Sequence, residues 1–307
     1  MFLLAFCPTR LLVYETTYPL FFRNDIMAGC WFVLVQAALG QSTLNAFLTT
    51  VDANNVYLKT GRRYLDSCRL EKTSYRQGLR MDEINRSRPA ITARQNQRRT
   101  EQGYEGLRQK IYQQARLTCI DLIYQRKRQR ELAFRLVQIR QFVHQMLVMS
   151  LPEPRNSCEP MLSNLLRGVS GKLFQKEILI NRLQGELSML NGEQATSFPD
   201  TTYPSIPSTK VLLNRSRRFI RLNPQYEQWQ NRFVVLRQLL DVDSAPAWKR
   251  ESYPIMMGKF KAGEITLEDF ISQLVNRYQL IDAQMRTERD LHIDTTQLLT
   301  YTEKTVR

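Results

Sequence analysis

Apolar residues recur at spacings of three and four over most of this chain, and strict alternation of apolar and polar positions is almost absent. The pattern predicts helices and few strands. From Thr43 to about Gly78, Leu44, Phe47, Leu48, Val51, Val56, Leu58, Tyr64, Leu65 and Cys68 fit one helical stripe, slack at Asn54-Asn55. Residues 80–100 are polar and contain Arg88-Pro89. The residue before a proline avoids helical geometry, so this segment reads as a loop or a damaged connector. Tyr104–Ser150 carries the strongest signal, with Leu107, Ile111, Ala115, Cys119 and Leu122 followed by Leu132, Leu136, Ile139, Val143 and Met146, and no proline or glycine after Gly106. A continuous helix there is on the order of 70 Å long, which suggests a coiled coil or a barrel of helices. Pro152 and Pro154 then force a turn, and Ser157 can cap an antiparallel helix running to about Leu190. Asn191-Gly192 closes that pair, because both residues accept the left-handed geometry that ends helices.

Phe198-Pro199-Asp200-Thr201-Thr202-Tyr203-Pro204 is a proline-rich crossover in which no long helix fits. Beyond it, Leu212 to about Val242 reads as helix broken at Asn223-Pro224. Pro246 and Pro254 interrupt the next stretch, and a long helix runs from Thr266 to about Tyr301. Thr266 and Asp269 have the spacing of a capping box, with Asp a poorer partner than Glu. Val51–Tyr57 is echoed by Ile220–Tyr226 at a constant offset of 169, which pairs Asn54 with Asn223, Tyr57 with Tyr226 and Tyr64 with Phe233. The chain therefore reads as two related halves: residues 1–41 an N-terminal extension and export signal, 42–192 a first helical repeat, 193–210 a crossover linker and 211–307 a second helical repeat.

Composition narrows the partners only in part. The 307 residues carry a net charge of +15, with arginines spread from Arg62 to Arg307. Such a spread fits either solvated helix faces or an anionic partner, and composition does not separate the two. Cys7, Cys30, Cys68, Cys119 and Cys158 are odd in number and contain no CxxC pair, so neither a zinc site nor a disulfide framework is indicated. Cys119 falls within an apolar stripe and reads as a small buried hydrophobe. Cys30–Ser42 looks like the apolar core and small-residue cleavage region of an export signal, with the mature chain starting near Ser42 and residues 1–26 an upstream extension.

No catalytic motif is present. His144 and His292 stand in no HExxH arrangement, and there is no GxSxG or phosphate-cradling glycine loop. Gly168-Val169-Ser170-Gly171-Lys172 lacks the spacing of a phosphate loop. His292, between Asp290 and Asp294, reads as a surface imidazole among carboxylates. Arg126-Lys127-Arg128-Gln129-Arg130 and Arg215-Ser216-Arg217-Arg218 could neutralise phosphates, yet neither matches a recognised reading helix or stacking sheet. Neither enzyme activity nor a cofactor or metal is expected. A basic α-helical nucleic-acid-binding protein of the cytoplasm remains the alternative reading.

Taken together, the export-like start, Asn54-Asn55, Arg116–Tyr124, Leu187–Gly192, the crossover, Asn223-Pro224 and Gly263-Glu264-Ile265-Thr266-Leu267 resemble the TolC-type outer-membrane efflux family, closest to its Bacteroides-like members. The likeness covers roughly Gln41 to Tyr301, and order and spacing carry it. It implies a mainly α fold with long antiparallel helices in two repeated halves, a homotrimer, and a passive exit duct for drugs or metal ions in the outer membrane and periplasm. It further implies a periplasmic adaptor and an inner-membrane pump as partners, with the adaptor docking at a tip formed by Lys261, Gly263, Glu264 and Thr266. The chain departs from the pattern at the β-barrel hairpins, whose only places are residues 80–91 and 241–257. Neither segment has the length or alternation of a membrane-crossing hairpin. Asp82, Glu83, Arg86 and Arg88 would face lipid there. The expectation is a shortened member with its barrel hairpins reduced or absent, with a degenerate member lacking channel activity as a further alternative.

Overall fold

The computed structural model describes residues 44–77, 88–148, 155–195, 198–207, 224–242 and 253–305. Among them every regular element is an α-helix: α1 (residues 44–54), α2 (Val56–Gln77), α3 (Arg88–Val148), α4 (Arg155–Leu190), α5 (Pro224–Val242), α6 (Tyr253–Lys261) and α7 (Leu267–Thr305). The export-like start, the expected helix over 212–222 and the Arg215–Arg218 cluster lie outside the described residues.

The 61 residues of α3 make a helix about 90 Å long. It starts at Arg88, so the connector expected over residues 80–100 is helical from there onward. Pro89 belongs to the first turn, where its missing N–H has no intrahelical acceptor to lose and its fixed φ suits the helix. The start of α4 also differs from expectation. It begins at Arg155, which puts Ser157 inside the helix instead of at its cap, and it carries Pro160 in its second turn.

The break at Asn55 has a specific cause. Its side-chain oxygen accepts from the backbone N–H of Tyr57 at 3.1 Å and of Leu58 at 3.2 Å, capping α2. Its amide nitrogen donates to the Leu190 carbonyl at 2.8 Å, one of the orphan acceptors at the end of α4. One buried asparagine thus serves two helix ends separated by 135 residues.

Most of the long packing runs along α3. Its N-terminal part pairs with α1 through Arg108–Asp52 at 3.0 Å and with α2 through Gly61 beneath the Tyr104 ring. Along α7 the contacts run in opposite order: Phe142 on Phe270, Arg135 on Asp282, Lys127 on Glu288 and Gln113 on Gln297. The two helices are therefore antiparallel. Val51, Leu58, Ala115, Cys119, Leu122 and Leu187 form one apolar core, and Leu132, Ile139, Phe142, Met256, Phe270 and Leu274 a second. The larger of these side chains, the Val, Leu, Ile, Met and Phe, contribute about 1.5–3 kcal/mol each when fully buried.

A third core is formed by Tyr226 and Phe233 of α5 against Leu291 and Leu298 of α7. At the offset of 169 expected for the internal echo, Tyr57 and Tyr64 pair with Tyr226 and Phe233, yet the first two are 71% and 63% exposed and the second two are fully buried. The echoed residues therefore lie on different kinds of helix face, one turned to solvent and the other to the core.

The segments expected to hold barrel hairpins shrink as well. Residues 88–91, 241–242 and 253–257 are helical, and ten residues separate α2 from α3 and ten separate α5 from α6. That is the length of one membrane-crossing strand of about 9–11 residues. None of the described helices is long and apolar enough to cross a membrane.

Candidate functional site

The predicted tip forms between α6 and α7. Gly263 has φ +72°, and its N–H bonds back to the Phe260 carbonyl at 3.0 Å while the Glu264 N–H reaches Lys259 at 3.0 Å. This pair of bonds is a Schellman closure, which requires a left-handed residue at its centre. Gly192 at the end of α4 repeats it, with φ +69°, Gly192 N–H to Met189 at 3.2 Å and Glu193 N–H to Ser188 at 2.8 Å. The two glycines differ in surroundings. A Cβ on Gly192 would lie 2.3 Å from the Asn54 carbonyl oxygen, while one on Gly263 would meet nothing within 4 Å.

After the turn, Thr266 starts α7 with a closed capping box. The Asp269 N–H donates to the Thr266 hydroxyl oxygen at 3.1 Å, and the Asp269 carboxylate accepts from the Thr266 N–H at 3.3 Å and from its hydroxyl at 2.7 Å. The shorter aspartate suffices. Glu268 and Asp269 in the first turn also complement the helix dipole. Lys261, Gly263, Glu264 and Thr266 are all exposed and lie in or beside this one turn.

Beneath that surface lies an aromatic layer that the spacing of apolar residues did not single out. Phe142 of α3 stacks on Phe270 at 4.6 Å and lies 5.6 Å from Phe260, with Tyr253 at the edge of Phe270. Phe142 sits near the C-terminal end of α3, so that end of α3 lies at the same end of the molecule as the α6–α7 turn.

Midway along the stack the crossover straps α3 to α7. Phe198 packs on Phe47 at 6.0 Å, and Arg126 donates to the carbonyls of Phe198 and Asp200. Tyr203 is sandwiched between His292, stacked at 4.3 Å, and the Lys127 ammonium, also at 4.3 Å. His292 is thus buried, not the surface imidazole its acidic neighbours suggest. Burial, with the Lys127 charge adding to it, pushes its pKa down to about 3. Of those neighbours, Asp290 and Asp294 are shared by Arg232 of α5 at 3.2 and 3.1 Å. Burial is also the first cause that raises Asp294 to about 6, against the opposing pull of Arg232.

Three of the four cations in the basic run of α3 are engaged internally, while Arg130 is exposed. Arg126 holds the strap, Lys127 pairs with Glu288 at 2.8 Å, and Arg128 forms an ion pair with Asp282. Gly168–Lys172 is helical, not a phosphate loop. Cys119 is buried, and burial pushes its thiol far above the range in which a thiolate nucleophile forms. Among the described residues no group of His, Cys, Asp and Glu is arranged to hold a metal. An open groove of about 590 Å³ between α2 and α3 is lined by Arg62, Arg69 and Arg98 alternating with Asp66, Glu101 and Glu105. The only sequence signal for the engaged cations was spacing: Arg128 and Arg135 lie seven residues apart on one helix face, as do Leu132 and Ile139 beside them.

Comparison with protein-family models, with curated proteins and with solved structures finds no match to this chain.

Proposed function

We propose that this chain is a protomer of a helical exit duct of the TolC type, shortened at its barrel hairpins and acting by shape instead of chemistry. The observation that carries the reading is the two-sided apolar character of α4. Leu162, Val169, Ile180 and Leu187, at spacings of seven and eleven, face α3 and are buried. Phe174, Ile178 and Met189 on the other side are 64%, 54% and 72% exposed. Across the hairpin, Phe134 and Val137 of α3 are half exposed too. Apolar faces of this kind mark interaction surfaces. A closed ring of copies covers both sides of every hairpin and encloses a lumen.

The arrangement of the ends supports the same reading. The C-terminal end of α3 and the α6–α7 turn lie together, the turn exposed, rigidly closed by Gly263 and capped by Thr266, as a docking tip for a periplasmic adaptor requires. Internal engagement of Arg126, Lys127 and Arg128 weighs against the nucleic-acid reading, since those groups are not free to neutralise phosphates.

Chemical cross-linking of the full chain in isolated envelopes tests the proposal. The expected product is a species of about three times the mass of the single chain found in the same envelopes, lost when Phe174→Glu and Ile178→Glu are combined. A monomer in the soluble fraction, unchanged by the double substitution, overturns it.

A further inference from the structure

Among the described residues α4 packs chiefly on α3, α3 on α7 and α7 on α5, so α4 and α5 form the two edges of a row of helices. Each edge shows solvent an apolar pair one turn apart. On α4 it is Phe174 and Ile178, 64% and 54% exposed, and on α5 it is Val235 and Leu239, 54% and 49% exposed. Both pairs point away from their own protomer. Val235 stands two residues from Phe233, buried against Leu291, and Ile178 two residues from the buried Ile180. Two residues turn a helix by about 200°, which sets each pair opposite the buried face. The positions that continue the two stripes, Gly171 and Gln175 on α4 and Gln228, Asn231 and Gln238 on α5, are exposed and uncharged in a chain of net charge +15.

The two pairs also stand at one level. Val169 shares a core with Leu132 and Ile139 of α3, and Ile180 shares another with Cys119, Ile120 and Ile123. Phe174 and Ile178 lie between Val169 and Ile180, and so beside the part of α3 where Lys127 meets Glu288 of α7 at 2.8 Å. On the other edge α5 runs antiparallel to α7, with Tyr226 and Phe233 against Leu298 and Leu291 and with Arg232 on Asp290 at 3.2 Å. Val235 and Leu239 therefore fall beside the same Glu288. All four apolar residues lie within about one helical turn of that ion pair. Because α4 runs with α7 and α5 against it, Phe174 is level with Leu239 and Ile178 with Val235.

We propose that the α4 edge of one copy packs on the α5 edge of the next, Phe174 against Leu239 and Ile178 against Val235 of the neighbouring copy. Rotation about an axis along the helices keeps every residue at its level, so two edges meet around a ring only through residues that share one. Withdrawal of four apolar side chains from water drives the contact, and uncharged stripes leave no ion to desolvate. The contact is heterologous, with a different face on each side, and it closes as a ring. The inference rests on the exit-duct reading and assigns the faces by which its copies meet.

Cysteine pairs test it in the full chain, in isolated envelopes, with the native cysteines other than the buried Cys119 replaced by serine. Ile178→Cys combined with Val235→Cys and treated with a short bis-maleimide is expected to give a ladder ending at three linked chains, which neither single variant gives. Ile178→Cys combined with Gln228→Cys, about two turns from that level on the same stripe, is expected to lose the ladder. Amine cross-linking of the same envelopes reads the ring separately. A trimer by amine chemistry without a ladder from the Ile178 and Val235 pair, or an equal ladder from the Ile178 and Gln228 pair, overturns the assignment of faces and leaves the ring standing. Monomer by both methods overturns the ring and the assignment together.

Discussion

His292 and Asp294 sit two residues apart on α7 and respond to acid in opposite senses. His292 is held neutral, with its pKa near 3. An unfolded chain takes up that proton at about 6.5. Its contribution to stability is therefore fully present above about pH 6.5 and is lost as pH falls toward 3. Asp294, raised to about 6, binds a proton in the fold before an unfolded carboxylate does near 3.9, so its contribution grows as pH falls from 6 to 4. The two slopes oppose each other over that window. His292→Phe keeps a ring against Tyr203 and removes only the histidine slope. Its Tm minus that of the wild type is expected to widen steadily from pH 7 to pH 5, and a constant difference would show that the imidazole takes up a proton freely in the fold. None of this was legible in the sequence. Asp290 and Asp294 flank the histidine along the chain, whereas its burial comes from Tyr203, a residue 89 positions away on the crossover.

At the scale of elements, what the sequence displayed well was local. Asn191-Gly192 ending α4, Gly263 ending α6 and Thr266-Asp269 opening α7 each depend on a few consecutive residues, and the structure forms all three as expected. The slack at Asn54-Asn55 was legible, but its second bond to Leu190 was not, because that partner comes from another helix. Arg88-Pro89 misled because proline is hostile inside a helix and welcome in its first turn, and the sequence alone does not say which turn it occupies. The short α6 depends least on its own sequence and most on tertiary contact, with Met256, Met257 and Phe260 held by Phe142 and Phe270. Phe270→Ala is expected to cost about 3–5 kcal/mol. Hydrogen exchange in Tyr253–Lys261 should then rise far more than in α2, which lies beyond the other core. Equal protection of α6 in both proteins would mean that the aromatic layer does not hold it.

For the whole molecule, the end shared by α3 and the α6–α7 turn sets the sharpest test of where an adaptor docks. Val in place of Gly263 strains a φ of +72° without meeting a neighbour, so the expected cost is on the order of 1 kcal/mol. Val in place of Gly192 meets the same strain and also the Asn54 carbonyl, and is expected to unfold the junction outright. Cross-linking of a purified adaptor to folded Gly263→Val should fall well below the wild-type yield, and equal yields at normal stability exclude this tip as the docking place.

Because α3 is a partner of α2, α4 and α7 at successive heights, the protein can change size only in quanta. One inserted residue near Arg128 rotates everything beyond it by about 100° and advances it about 1.5 Å, so Ile139 and Phe142 turn away from α7 together. Seven residues make nearly two full turns and return each face to within about 20° of its place. Lengthening this molecule therefore proceeds in steps that restore the face, seven residues or eleven, and each step in α3 must be answered by an equal one in α4 and α7.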